Sequence, residues 1–385
     1  MQFNFDEVVD RRGTRSVKWE SFSPDVLPLW VADTDFSVNP IILKRIQERL
    51  NHPVLGYTLV NHELILAVQN FLYTQYQWVV DEAAIIPMTG VVPGLNFSCR
   101  AFCKPGDGVL FQVPVYPPFY DAPRNNFLEA QTSSLYFDKV SNSYKIDFDE
   151  FENSIKSNTR LFMLCNPHNP VGRVFRRDEL SALADICIRH DLVICSDEIH
   201  SDIIFSGNYH IPIATLSPEI SRRTVTLISP SKTFNIPGLN CSLAVIEDER
   251  MRQQFVQALK GLSNGANLLG QIASCSAYSE CQDWYIQAKK YIEGNRDFLE
   301  AYCDEALPGI HMTRMEATYL AWLDCSESGI LSMPQEFFLD QAKVGLNAGS
   351  TFGAGFERFV RLNIGTSRII LEEALDRMSK SLKKL

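Results

Sequence analysis

Thr224-Val225-Thr226-Leu227-Ile228 runs directly into Ser229-Pro230-Ser231-Lys232-Thr233-Phe234-Asn235, and the join between the two governs how the chain is read. The apolar, β-branched run has the pattern of a buried strand of a parallel sheet. A lysine at the mouth of such a strand, between two hydroxyl residues, is placed to form a Schiff base and to have phosphate oxygens bound beside it. Taken alone, such a lysine reads as a solvated loop residue. Its company decides.

Four more strand-like runs end in polar residues. Ala83–Met88 leads into Thr89-Gly90-Val91-Val92, and Val109–Val113 leads into Pro114-Val115-Tyr116. Leu161–Cys165 leads into Asn166-Pro167-His168-Asn169-Pro170-Val171-Gly172, and Leu192–Ser196 delivers Asp197-Glu198-Ile199-His200. Ligands of open α/β sheets bind beyond the carboxyl ends of the strands, so these segments are expected to converge on one crevice. Between about residues 40 and 275 the runs alternate with amphipathic helical stretches such as Arg177–Arg189, with Asp178 as its N-cap and Glu179 in its first turn. That alternation predicts a mainly parallel sheet flanked by helices.

After residue 275 the pattern changes to a long helix through Trp284–Tyr302, strands at Thr318–Leu323 and Phe359–Asn363, and a terminal helix over Ile370–Leu382. This reads as a smaller α+β domain. The predicted organisation is therefore a large domain over 40–275 and a small one, with no linker or internal repeat between them.

The chain has 385 residues, 45% of them hydrophobic and 21% charged, the balance of a globular protein with a large core. Its formal charge of -10 argues against nucleic acid as a partner. The ten cysteines show no CxxC pair or metal-ligand spacing, so neither a metal site nor a disulfide framework is indicated. Residues 1–30 lack the apolar core of a secretory signal, and Asp6, Glu7 and Asp10 run against an organellar transit peptide. No apolar run approaches the ~18 residues needed to span a bilayer. A cytoplasmic setting is the expectation.

The motif set resembles the fold type I enzymes that use pyridoxal 5′-phosphate (PLP), over nearly the whole chain. Within them it is most similar to the cystathionine β-lyases, or cysteine C-S lyases, in Phe5-Asp6-Glu7-Val8-Val9-Asp10-Arg11-Arg12-Gly13-Thr14, in Leu29-Trp30-Val31-Ala32-Asp33-Thr34-Asp35-Phe36, in Ser196–His200 and in Ser231–Leu239. The resemblance implies an aspartate-aminotransferase-like fold in which residues 1–39 join 276–385 in the small domain. It also implies a homodimer.

Roles follow for individual residues. Lys232 would hold the cofactor as an imine and act as the catalytic base. Asp197 would face the pyridine nitrogen and keep it protonated, its alternative being an N-cap. His200 stands where many relatives carry a tyrosine near the phenolic oxygen. The phosphate would rest on the backbone N–H groups of Gly90, Val91 and Val92 at a helix start, with Ser229 and Ser231 adding hydroxyls. Tyr57 would reach the phosphate from the neighbouring subunit, or else simply pack. Tyr116 would stack on the ring. Asn169 would donate to the phenolic oxygen, with an Asx turn as its alternative. Arg361 would pair with the substrate carboxylate, helped by backbone near Val31 and Ala32. Arg358 and Arg368 compete for that role, and strand alternation allows only one of Arg358 and Arg361 to point inward. Relatives often carry a basic residue shortly after the lysine motif, where this chain has Leu239-Asn240-Cys241.

The expected activity is β-elimination from an L-cysteine S-conjugate, giving pyruvate, ammonia and a thiol. An aminotransferase is the alternative, since the same lysine, aspartate and arginine serve both reactions. A regulatory protein that retains the fold for partner binding is a third reading.

Overall fold

Thr224–Ile228 is a fully buried strand in a seven-stranded sheet. In a computed structural model describing residues 1–385, the strands of this sheet are β1 (Ile85–Met88), β2 (Gly108–Val113), β3 (Glu129–Ser134), β4 (Thr159–Cys165), β5 (Val193–Asp197), β6 (Thr224–Ile228) and β7 (Ser242–Val245). Their spatial order is β1-β7-β6-β5-β4-β2-β3. All neighbours run parallel except β7, which is antiparallel to both β1 and β6.

The run predicted from Ala83 starts as a strand only at Ile85, because Glu82–Ala84 form a 3₁₀ turn. Two strands of this sheet had no counterpart among the predicted runs. β3 is the polar edge strand Glu-Ala-Gln-Thr-Ser-Ser, with alternate residues buried, and β7 is only four residues long. Neither has the long apolar run of a central strand. The helix Arg177–Arg189 forms over the predicted residues, but its N-cap is Arg176 rather than Asp178. Glu179 reaches back to accept the Arg176 N–H at 2.9 Å, while Asp178, the second residue of the helix, pairs with the exposed Arg176 guanidinium.

Strand alternation sends successive side chains to opposite faces, and each face has its own helical cover. Phe111, Met163, Cys195 and Val225 pack with Leu95 and Phe255, from the helices Val91–Phe102 and Glu249–Leu259. Leu110, Phe162, Leu164 and Ile194 pack on the other face with Leu180 and Leu183. Loops beyond the strand ends are thereby held on a rigid base.

A second, antiparallel sheet comprises β8 (His311–Met312), β9 (Leu320–Asp324), β10 (Asn347–Ala348) and β11 (Phe359–Asn363), in the order β8-β9-β11-β10. The strand expected from Thr318 begins at Leu320, because Thr318 takes a left-handed φ of 70° and accepts the Leu320 N–H on its hydroxyl. The long helix spans Gln282–Ala306 and the last one Arg368–Leu382.

The N-terminal segment packs against this later part of the chain. Phe5 lies 5.6 Å from the ring of Trp284, and Leu27–Pro28 pair in parallel with Val344–Gly345. From there Leu29–Phe36 runs as an irregular strap. Its backbone is tied to β11 through Asn363 N–H to the Leu29 carbonyl, 2.9 Å, and to Gly365 through the Asp35 N–H, 2.9 Å. No helix is long and apolar enough to cross a membrane.

Candidate active site

The polar ends of β1, β4, β5 and β6 and the loop after β2 open on one cavity of about 350 Å³. Thr89 through Val92, Tyr116, Asn169, Asp197, His200, Ser231 and Lys232 all line it, and Ala32 enters from the strap. This is the crevice at strand carboxyl ends that the fold class predicts. A wider surface cleft between Arg100 and Arg250 holds none of these groups.

Lys232 donates from Nζ to the carbonyl oxygen of Ala32 at 2.6 Å. Burial pushes its amine down to about 8, with Arg361 adding to the fall and Asp33 and Asp197 opposing it. An amine in that range is a usable base near neutrality. Asp197 ends β5, and its Oδ1 accepts the Ile199 N–H at 3.1 Å. That bond is the N-cap-like turn of the alternative reading, yet it occupies one oxygen and the residue still lines the cavity. Burial pushes the carboxyl up to about 7, against the Ile199 N–H and the charge of Lys232. A cation set against it would pull it back toward the ionised form. Burial also holds His200 down at about 3, assisted by Lys232 and Arg361, so its imidazole is neutral, and its Nδ1 has no partner within the chain.

Gly90 caps the helix Val91–Phe102 without any side-chain bond to the first turn. Val91 and Val92 present N–H groups that the helix itself leaves unpaired, a ready anion cradle. A Cβ at Gly90 would stand 3.2 Å from the ring of Pro93, so glycine keeps this turn uncrowded.

Arg361 lies in β11 opposite Asn347 and is buried. Its Nη1 donates to Asn169 Oδ1 at 3.0 Å, and Nη2 to the Trp30 carbonyl at 3.0 Å and to Asn347 Oδ1 at 2.6 Å. Nε has no partner, and the guanidinium sits 5.0 Å above the ring of Phe352. Burial lowers it to about 10, so it stays charged at neutral pH, and no carboxylate of the chain pairs with it. A buried cation without an anion calls for one from outside the chain. Arg358 and Arg368 are spent elsewhere. The first binds the carbonyls of Ser332, Cys325 and Ile330, and the second binds Asn295 and the Gly294 carbonyl over the ring of Phe298.

Three expected members do not line the cavity, and of these Arg361 stands just behind it, bonded to Asn169. Ser229 is buried against the Cys241 carbonyl, 2.9 Å, and Ser231 Oγ, 2.7 Å, which leaves Ser231 as the cavity's hydroxyl from this pair. Tyr57 is fully exposed, far from contributing to the site within one chain. Asn240 does line the cavity, at the position where a basic residue was looked for.

Other contributors had no role assigned from the sequence. Tyr319 donates to the Ala32 carbonyl at 3.0 Å, and Asn363 donates to the carbonyls of Val31 and Asp33 at 2.6 and 2.7 Å. Asn235 clasps the strap from the lysine loop, accepting the Thr34 N–H and donating to the carbonyls of Thr34 and Phe36. Asn235 belongs to the lysine motif, and Tyr319 and Asn363 to predicted strands, but nothing in those segments marked their bonds to the strap.

Residues 25–378 match the family model for aminotransferase class I and II. The chain is 38% identical to the cystathionine β-lyase PatB of Bacillus subtilis, over 98% of this chain and 100% of that protein. It is 31% identical to a cystathionine β-lyase of Corynebacterium glutamicum, with 98% and 100% covered. Among solved structures it is similar to cystalysin from Treponema denticola, which contains a pyridoxal 5′-phosphate cofactor, with a TM-score of 0.96, 32% identity and both chains covered in full.

Proposed function

The chain belongs to the aminotransferase class I and II family, and we propose that within it the protein is a PLP-dependent carbon–sulfur lyase acting on L-cysteine S-conjugates. One observation carries the chemistry. A buried lysine amine of lowered basicity and a carboxylate line a single cavity beside a free helix N-terminus, with an uncompensated guanidinium directly behind Asn169 on its wall. The choice of lyase rests on end-to-end similarity to proteins named cystathionine β-lyase.

The donor set fits the cofactor. Gly90, Val91, Val92 and Ser231 suit a phosphate, Asp197 a pyridinium, Tyr116 a ring face, and Asn169 with the unpartnered His200 a phenolic oxygen. Bound there, PLP supplies an electron-withdrawing ring that accepts the electron pair left at an amino acid's α-carbon.

The chain's residues do the rest. Arg361 binds the α-carboxylate and so fixes which substrate bond faces Lys232. Lys232 takes the α-proton onto Nζ. As the Cβ–S bond breaks, the electron pair leaves with sulfur, and the proton held on Lys232 is at hand to complete the thiol. Aminoacrylate, once released, takes up one water and falls to pyruvate and ammonia.

The working unit is a homodimer, in which Tyr57 reaches the phosphate of the neighbouring copy. Its support is the exposed run Val54, Leu55, Tyr57, Leu59 and Val60, apolar bodies that a lone subunit leaves in water. Ten free cysteines support a reducing, cytoplasmic setting.

The test is an assay with cystathionine and no keto acid. Pyruvate, ammonia and free thiol should form at a steady rate. Product that appears only with added keto acid, the amino group ending on that acid, would replace the lyase with an aminotransferase.

A further inference from the structure

We infer that Tyr319 is a positioning residue for the amine of Lys232, acting through the carbonyl oxygen of Ala32. Both side chains donate to this one oxygen, Lys232 Nζ from 2.6 Å and the Tyr319 hydroxyl from 3.0 Å. A carbonyl oxygen has two lone pairs, and these two donors fill them. Tyr319 is completely buried, its ring edge-on to His200 at 5.9 Å, so water cannot serve its hydroxyl, and this oxygen is the acceptor it reaches.

The strap that carries the oxygen is held on both sides. Asn363 grips the carbonyls of Val31 and Asp33, the two neighbours of Ala32, while Arg361 takes that of Trp30 and Asn235 that of Thr34. Further along, Asp35 is locked by Lys18 at 2.7 Å and by Trp19 Nε1 at 2.8 Å. The Ala32 carbonyl is thus a fixed point between β6 and β11.

A primary amine released from the cofactor has two N–H bonds, one lone pair and free rotation about Cε–Nζ. Giving one N–H to a fixed oxygen removes most of that rotation and points the lone pair in a defined direction. Small errors in such alignment are costly to proton transfer. Tyr319 keeps the oxygen in place on the side where the strap has no other anchor on Ala32 itself.

This inference rests on Lys232 being the base of the proposed function, and the test separates the two. The readout is exchange of the α-proton of L-alanine with solvent deuterium in the PLP-loaded enzyme, followed by NMR. Alanine has no leaving group, so exchange is independent of lyase activity. Tyr319→Phe removes only an oxygen, and the variant should keep its PLP absorption, its affinity for alanine and its unfolding temperature within a few degrees. Its exchange rate should fall roughly 10- to 100-fold. In Lys232→Ala with ethylamine supplied as external base, adding Tyr319→Phe should change the rescued rate by less than about twofold, because the amine being positioned is gone. Wild-type exchange in Tyr319→Phe, or the same loss in both backgrounds, overturns the role. Wild-type exchange in Lys232→Ala without added amine overturns Lys232 as base as well.

Discussion

Arg361, in β11, and Asn169, in the loop after β4, stand 192 positions apart and meet at 3.0 Å through Nη1 and Oδ1. Because the amide oxygen of Asn169 accepts from the guanidinium, its NH₂ group is the end left for the cavity, the end that can donate to a phenolic oxygen. The proposed substrate and cofactor subsites therefore share a hydrogen bond.

Arg361→Ala should raise KM about 10- to 150-fold, the equivalent of a charge-assisted bond worth roughly 1.5 to 3 kcal/mol. It should also shift the cofactor's visible band, since Asn169 loses what orients it. Arg361→Lys should restore only part of the affinity, because an ammonium lacks the planar fork. A KM within twofold of wild type in Arg361→Ala would place carboxylate recognition elsewhere.

Purified protein should be yellow, and borohydride should bleach it by fixing the cofactor on Lys232. Peptide mapping decides this. A reduced adduct on another lysine ends the assignment.

Asp197 gives a pH dependence whose sign follows from burial. Its carboxyl lies at about 7 in the folded chain against an ordinary 3.8, so the folded state holds a proton that the unfolded state has released. In protein stripped of PLP, the stability linked to this group is full below about 3.8 and drains away as pH rises to about 7. Asp202, raised by burial to about 6, pulls the same way. Denaturant titrations at pH 5 and pH 7 should show a smaller loss in Asp197→Asn than in wild type. With PLP present, Asp197→Asn should cut turnover at least about a hundredfold, as expected for losing a charge-stabilising contact at the reaction centre.

Tyr57 should matter only in the dimer. Sedimentation should find two chains per particle, and Tyr57→Phe should weaken PLP retention on dialysis while leaving the dimer intact. A monomer saturated with PLP and fully active would refute the shared site.

Lys18 is wholly buried against Asp35, which also accepts from Arg11 at 2.8 Å. Lys18→Met should destabilise the protein by about 3 to 5 kcal/mol, the scale for stranding one member of a buried pair. Equilibrium unfolding in urea measures it. A loss below about 1 kcal/mol would mean that Asp35 is satisfied by Arg11 and Trp19 alone.

Much of the sheet was legible locally. Buried parallel strands are continuous apolar runs, so Thr224–Ile228 was read to the residue, and the antiparallel Phe359–Asn363 was read to the residue as well. The polar β3 and the four-residue β7 were not, since edge and short strands owe their form to their neighbours. Turn motifs at strand ends announced Gly90, Asn169, Asp197 and Lys232 because each is tied by covalent geometry to the end of its own strand. Ser229 was misjudged for the converse reason. Two residues from Lys232 in the chain, it turns to Cys241, a partner brought by β7. Tyr319, Asn363 and Asp35 lay in segments the sequence picked out, but neither their bonds nor the Lys18–Asp35 pair could be read there, because each acts on a backbone or side-chain group from another part of the chain. The order of residues alone determined the strands, the lysine loop and the kind of chemistry they suit. Which arginine meets Asn169 at the cavity wall, which serine leaves the cavity, and what holds the Ala32 carbonyl over Lys232 were decided only when two sheets and a strap came together, since those contacts depend on distances through space that residue order does not carry.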